Sequence, residues 1–156
     1  MLLSEGFLLE AKRRVEAQSQ LSEAALRRCM SDLYFALFHC VCEALASPLQ
    51  EHSHLVVVRE AWARIYRLPD HGMVAKQCDD GRIREFPDAI QKFASQLKGL
   101  KASREEADYD ASIQLETSEV RNSIQIVETA IQGFKDSDQQ LQFAFAVFVS
   151  NRRRGH

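Results

Sequence analysis

Glycine and proline are scarce in this chain, 6 and 3 among 156 residues. An all-β sandwich or barrel needs a turn at short, regular intervals, so this poverty of turn formers argues against one and suits a few long helices. Glycine-rich phosphate loops, Cys-x-x-Cys pairs, His-Glu-x-x-His and Gly-x-Ser-x-Gly strings are all missing. Their absence removes the usual signatures of nucleotide-binding loops, zinc sites and serine hydrolases, and no cofactor or metal is expected. Charge of one sign is lacking too. The formal net charge is −2, with acid and base balanced in both halves of the chain. The strongly basic balance of many nucleic-acid binders is therefore missing, although folding or dimerisation can still assemble a local basic surface.

Long apolar runs are absent as well. The longest, Leu33 to Cys42, is interrupted by His39 and is too short to span a bilayer. The opening MLLSEGFLLEAKRR places its basic cluster after its apolar residues, the reverse of a secretory signal. Of the four cysteines, Cys29, Cys40 and Cys42 lie in one apolar stretch, and Cys78 stands apart. Cys40 and Cys42 point to different sides of a helix and are poorly placed to pair. The expectation is a protein of the reducing cytosol, away from membranes.

The composition is that of a globular domain, 46% hydrophobic and 27% charged, and the length predicts a single domain over 1–156. Phe7, Leu8, Ala11 and Val15 recur at helical spacing over Ser4 to Ala17, with Ser4 placed to cap. A second helix begins after Ser22 and runs to Ala46, where Ser47-Pro48 stops it. Its second half is apolar nearly all round, the pattern of a central buried helix. A third is expected over Gln50 to Arg67, then a polar stretch with His71 in a loop and room for one short helix near Met73 to Cys78. Phe86, Ile90, Phe93, Leu97 and Leu100 mark a fourth helix, and Val120, Ile124, Val127, Ile131 and Phe134 a fifth, from Ile113. Leu141 to Val149 alternates with period two, but no other strand exists to pair with it, so it reads as helix. Arg152 to Arg154 form a basic tail. The fold expected is all-α: an antiparallel up-and-down bundle of five or six helices.

Polar residues inside this framework are the candidate site. Arg28, Asp32, Phe35 and His39 fall on one face of the second helix. Such groups are costly to bury without partners, so they line a polar pocket or form an i, i+4 pair with His39 bonded to a neighbouring helix. The string Ala107-Asp108-Tyr109-Asp110 follows Arg104 at the junction of two long helices. Its carboxylates suit acid–base work or the holding of a metal, if partners converge from elsewhere, or else helix capping, with Tyr109 packing in the last case. His52 and His54 have no third metal ligand nearby and read as surface residues, whereas His71, beside Asp70 and Gly72, is a candidate binding group.

The segment RRCMSDLYFALFHCVCEAL resembles the signature helix of HEPN-domain proteins, and KASREEADYD resembles the Arg-x-x-Ala-Asp-Tyr-Asp string of one uncharacterised branch. The intervening Asp-His-Gly, Phe-Pro and Phe-Ala cadence is similar, so the likeness covers residues 22–110. Arg28, Tyr34, Phe38 and His39 match the first string, and Arg104, Asp108, Tyr109 and Asp110 the second. The resemblance implies an all-α bundle that often dimerises, with RNA or a nucleotide as ligand and a cognate protein partner in toxin–antitoxin or defence settings. The Arg–polar–spacer–His string of active HEPN ribonucleases is broken after Arg121-Asn122, and the Arg64/His71 spacing crosses a proline-bearing helix end. The leading expectation is an accessory protein without an intact ribonuclease motif and with no assignable catalytic group. The alternatives are a metal-independent ribonuclease with a dispersed Arg/His site and a non-enzymatic protein-interaction module. Joining the two strings, an antiparallel bundle is expected to bring Arg28 to the Asp108–Asp110 junction in a buried Arg–carboxylate contact.

Overall fold

The computed structural model describes residues 2–151. Among these residues the chain is all-helical, with seven α-helices, two short 3-10 turns and no strand. The helices are α1 Leu3–Ala17, α2 Glu23–Ala46, α3 Val56–Tyr66, α4 His71–Cys78, α5 Asp88–Tyr109, α6 Thr117–Asp136 and α7 Gln139–Ser150. The 3-10 turns are Ser47–Leu49 and Gly81–Glu85. Seven helices replace the expected five or six because Asp70 caps a separate α4, its carboxylate accepting the Met73 amide at 2.9 Å. His71 therefore opens a helix instead of lying in a loop.

Helix α2 is the axis of the molecule. Ser22 caps it by accepting the Ala25 amide, and Pro48 ends it. It packs on α1, α3, α5, α6 and α7. With mean hydropathy 1.3 over 18 residues it is long and apolar enough to cross a membrane, yet 83% of that window is buried against the other helices. Buried side chains of α1, α2, α4, α5, α6 and α7 form one cluster. At its far end Phe93 and Phe134 stack with centroids 4.2 Å apart, and Phe145 meets both edge-on. Each such fully buried ring contributes roughly 1.5–3 kcal/mol.

Several boundaries differ from the sequence expectation for local reasons. Ser4 does not cap α1 but sits buried in its first turn, its hydroxyl donating to Glu43 Oε2 at 2.6 Å and its amide to Oε1 at 2.9 Å. Helix α3 starts at Val56, since residues 51–54 are hydrogen-bonded turns. Helix α6 begins at Thr117, after a loop. The period-two segment is helical because Phe145, Ala146 and Val149 face the core at i, i+1 and i+4, while Leu141 and Phe143 remain exposed. All four cysteines are free and buried. The basic tail expected at Arg152 to Arg154 lies outside the described residues.

Candidate functional site

The polar face of α2 does not form one pocket. Asp32 is only 2% exposed and is paired from two sides, by Arg14 of α1 and by Arg28, whose Nε lies 3.4 Å from Oδ1. Arg28 itself remains largely in solvent. Two turns along, His39 turns to α3 instead, with its Nδ1 2.6 Å from the Tyr66 hydroxyl and its ring stacked on Phe7. The i, i+4 pair and the bonded histidine are both present, each with a different neighbour.

The Arg28 contact expected at the α5 end is replaced by two others. Arg27 donates to three carbonyl oxygens there, Ala107 at 2.6 Å, Asp110 at 2.9 Å and Ile113 at 2.6 Å. These carbonyls lie where a helix end leaves acceptors without intrahelical partners, and a fork-shaped guanidinium suits three of them. Ser31 donates to Asp108 Oδ1 at 2.8 Å. Asp110 caps no helix start; its carboxylate accepts the amide and hydroxyl of Ser112, which hold it below its ordinary range. Tyr109 does not pack, being 79% exposed. Sequence reasoning missed Arg27 because adjacent arginines on a helix differ only by 100° of rotation, and nothing in the string itself says which one faces α5.

What the fold does bring together is Tyr34, Phe35, Phe38, His71 and Arg104. The Tyr34 hydroxyl lies 2.5 Å from His71 Nδ1, and the His71 ring stacks on Phe38 with centroids 3.9 Å apart. Burial pushes the Tyr34 phenol well above its ordinary range, so it keeps its proton, and with no other acceptor for it among the described residues the hydroxyl donates to His71 Nδ1. The neutral imidazole inferred from that bond carries its own hydrogen on Nε2. Burial, then the positive charge of Arg104, holds His71 below its ordinary pKa. His39 is likewise lowered, by burial and then by His71, and its partner Tyr66 is raised by burial. Two tyrosine–imidazole pairs thus flank Phe38, which meets His39 edge-on at 6.0 Å.

Arg104 stands over the same rings, its guanidinium carbon 5.2 Å from the Phe35 centroid and 5.7 Å from that of Tyr34. Its Nε lies 3.0 Å from Asp108 Oδ2 without being aligned for a hydrogen bond. Neither terminal nitrogen of Arg104 has a hydrogen-bond acceptor among the described residues. The group is therefore a partly sheltered cation, ion-paired with Asp108 but with unused terminal donors, beside a neutral imidazole, on an aromatic floor. That arrangement can bind an oxyanion.

The other candidates are dispersed. Arg121 ties α6 to the end of α1 through the carbonyls of Val15 and Gln18, and Arg64 is exposed on α3. His52 and His54 are exposed, and no three His, Cys, Asp or Glu side chains gather for a metal among the described residues. Two open grooves flank α6, one lined by Lys92, Gln96, Asn122 and Ile126 and the other by Lys12, Glu16 and Glu128; neither includes the imidazole cluster. Comparison of the chain with protein-family models, curated proteins and solved structures gives no match.

Proposed function

We propose that the chain is a HEPN-like protein, an antiparallel up-and-down bundle that binds RNA or a nucleotide in the cytosol as an accessory component of a toxin–antitoxin or defence system. The observation that carries this reading is Arg104. A guanidinium held over Tyr34 and Phe35, with no hydrogen bond to protein from either terminal nitrogen, is poised for a phosphate. His71 adds a second donor, its Nε2 hydrogen, at the same aromatic floor. Exposed Tyr109, one turn beyond Arg104, supplies a ring on which a base can stack. Dimerisation and a cognate protein partner belong to the same proposal and rest on the sequence resemblance.

A metal-independent ribonuclease is the second reading. It is favoured by the two neutral imidazoles, each with one nitrogen fixed by a tyrosine and the other free for proton transfer. Both readings are tested together. Binding of a fluorescent single-stranded RNA and of ATP is measured by anisotropy and calorimetry, and RNA cleavage is followed in EDTA. Arg104→Ala is expected to weaken binding by about tenfold or more, the scale of a lost charge-assisted pair, while Arg28→Ala leaves it unchanged. Cleavage in EDTA that is lost in His71→Ala or His39→Ala selects the ribonuclease. Failure of both ligands to bind, or binding indifferent to Arg104→Ala, rejects the site.

A further inference from the structure

The outer face of α3 stands apart from the rest of the surface. It is the one α-helix among the described residues with no buried side chain, and it rests chiefly on α2, with Ile65 and Tyr66 packed against the core and Tyr66 bonded to His39. Away from α2 it exposes Val56 at 61% and Val57 at 69%, with Leu68 at 61% just past its end. On the same side lie Arg64 and Arg67, and Arg59 borders them. Among the described residues every other arginine except Arg84 holds an ion pair or a carbonyl, whereas these three hold none. Glu60 is the single acid among them. Aliphatic side chains left in water beside unpaired guanidinium groups describe half of an interface.

We infer that this face docks an acidic amphipathic segment of a second protein, with its apolar stripe on Val56, Val57 and Leu68 and its carboxylates on Arg64 and Arg67. The charge excess favours this occupant over a second copy, because a twofold pairing of α3 with itself would set arginines against arginines with one glutamate each to offset them. The aliphatic half favours it over nucleic acid, which gains little from valine and leucine. Tyr66 turns toward α2 to meet His39, and the Trp62 ring lies against Tyr66 with centroids 4.8 Å apart. The inference stands independently of the Arg104 site, since none of these residues belongs to it.

The test uses the whole protein, labelled with nitrogen-15, and a synthetic helical peptide with leucines at i, i+4 and i+7 flanked by glutamates. A second peptide carries glutamine in place of glutamate. The acidic peptide is expected to shift amides confined to residues 56–68. Affinity is expected to fall about tenfold or more in the glutamine peptide, in the Arg64→Glu/Arg67→Glu variant and in Val57→Asp. All three positions are exposed, so equal thermal melts will verify that the variants fold. Equal binding of the glutamine peptide, shifts elsewhere, or no shifts would overturn the inference. So would stronger shifts of the same amides by a uridine oligonucleotide. A free protein that is already a dimer, dissociated by Val57→Asp, would assign the face to a second copy instead.

Discussion

The hydroxyl of Tyr34 and Nδ1 of His71, 2.5 Å apart, join the middle of α2 to the first residue of α4. Tyr34 is wholly buried, and among the described residues His71 is the one hydrogen-bond partner its hydroxyl has. Tyr34→Phe keeps the ring packing on Phe35 and Phe38 but leaves Nδ1 without its donor. A loss of about 1–2 kcal/mol is expected, the cost of an unmade buried hydrogen bond, read from urea denaturation. The nitrogen-15 signals of the His71 ring should then show a mixture of tautomers in place of one.

Stability should also depend on pH through the two imidazoles. Both are held below their ordinary value, near 6.5, chiefly by burial. The unfolded chain therefore binds more protons than the folded one in the window from about 6.5 downward. Their contribution is fully present above that value and is lost as pH falls through the folded pKa values. Denaturation midpoints measured between about pH 7.5 and 5 should fall with pH, and the slope should shrink in His71→Gln. An unchanged slope would mean that His71 titrates alike in both states.

Asp32 is the buried charge with most at stake. Arg14 and Arg28 both lean on it, and Arg14 is the more sheltered of the two. Asp32→Asn removes the negative charge and leaves two cations facing a neutral amide. Breaking a fully buried pair costs about 3–5 kcal/mol, and the solvent access of both arginines brings the expectation down to about 2 kcal/mol. Restoring stability by adding Arg14→Met to Asp32→Asn would attribute the loss to the stranded cation; no restoration would attribute it to lost packing.

The helical class was legible because it rests on periodicity. The stripes through Phe93 and Leu97 and through Val127 and Ile131 are core faces, and Ser22 caps where a serine before an apolar run should. The period-two run at 141–149 shows the limit of that reading. Its phenylalanines and valines satisfy either pattern, and only tertiary packing of Phe145 and Val149 decides. The candidate site was half legible. Chemistry-bearing residues could be picked out, and His71 and Arg104 do meet over Tyr34 and Phe35. Their convergence could not be read, because it depends on how α4 and α5 are rotated against α2. Asp32 and His39 share a face of α2, yet they are claimed by different helices, α1 and α3.

Arg27 and Arg28 offer the sharpest contrast between neighbours. Arg28 is exposed and its ion pair with Asp32 is the weaker of two, so Arg28→Ala is expected to change stability by less than about 0.5 kcal/mol. Arg27 bonds three carbonyls that bracket the turn between α5 and α6, and its Nε reaches Glu23, which also accepts the Leu115 amide. Arg27→Ala leaves those acceptors to water and releases residues 110–116 from α2. A loss of about 2 kcal/mol is expected from several charge-assisted bonds partly exposed to solvent. Hydrogen exchange should quicken in that turn and in the last turn of α5 before anywhere else. Arg27→Lys should recover little of it, because an ammonium cannot span three carbonyls as a guanidinium fork does. Equal losses for Arg27→Ala and Arg28→Ala would mean that the turn is held by the Ser31–Asp108 bond instead.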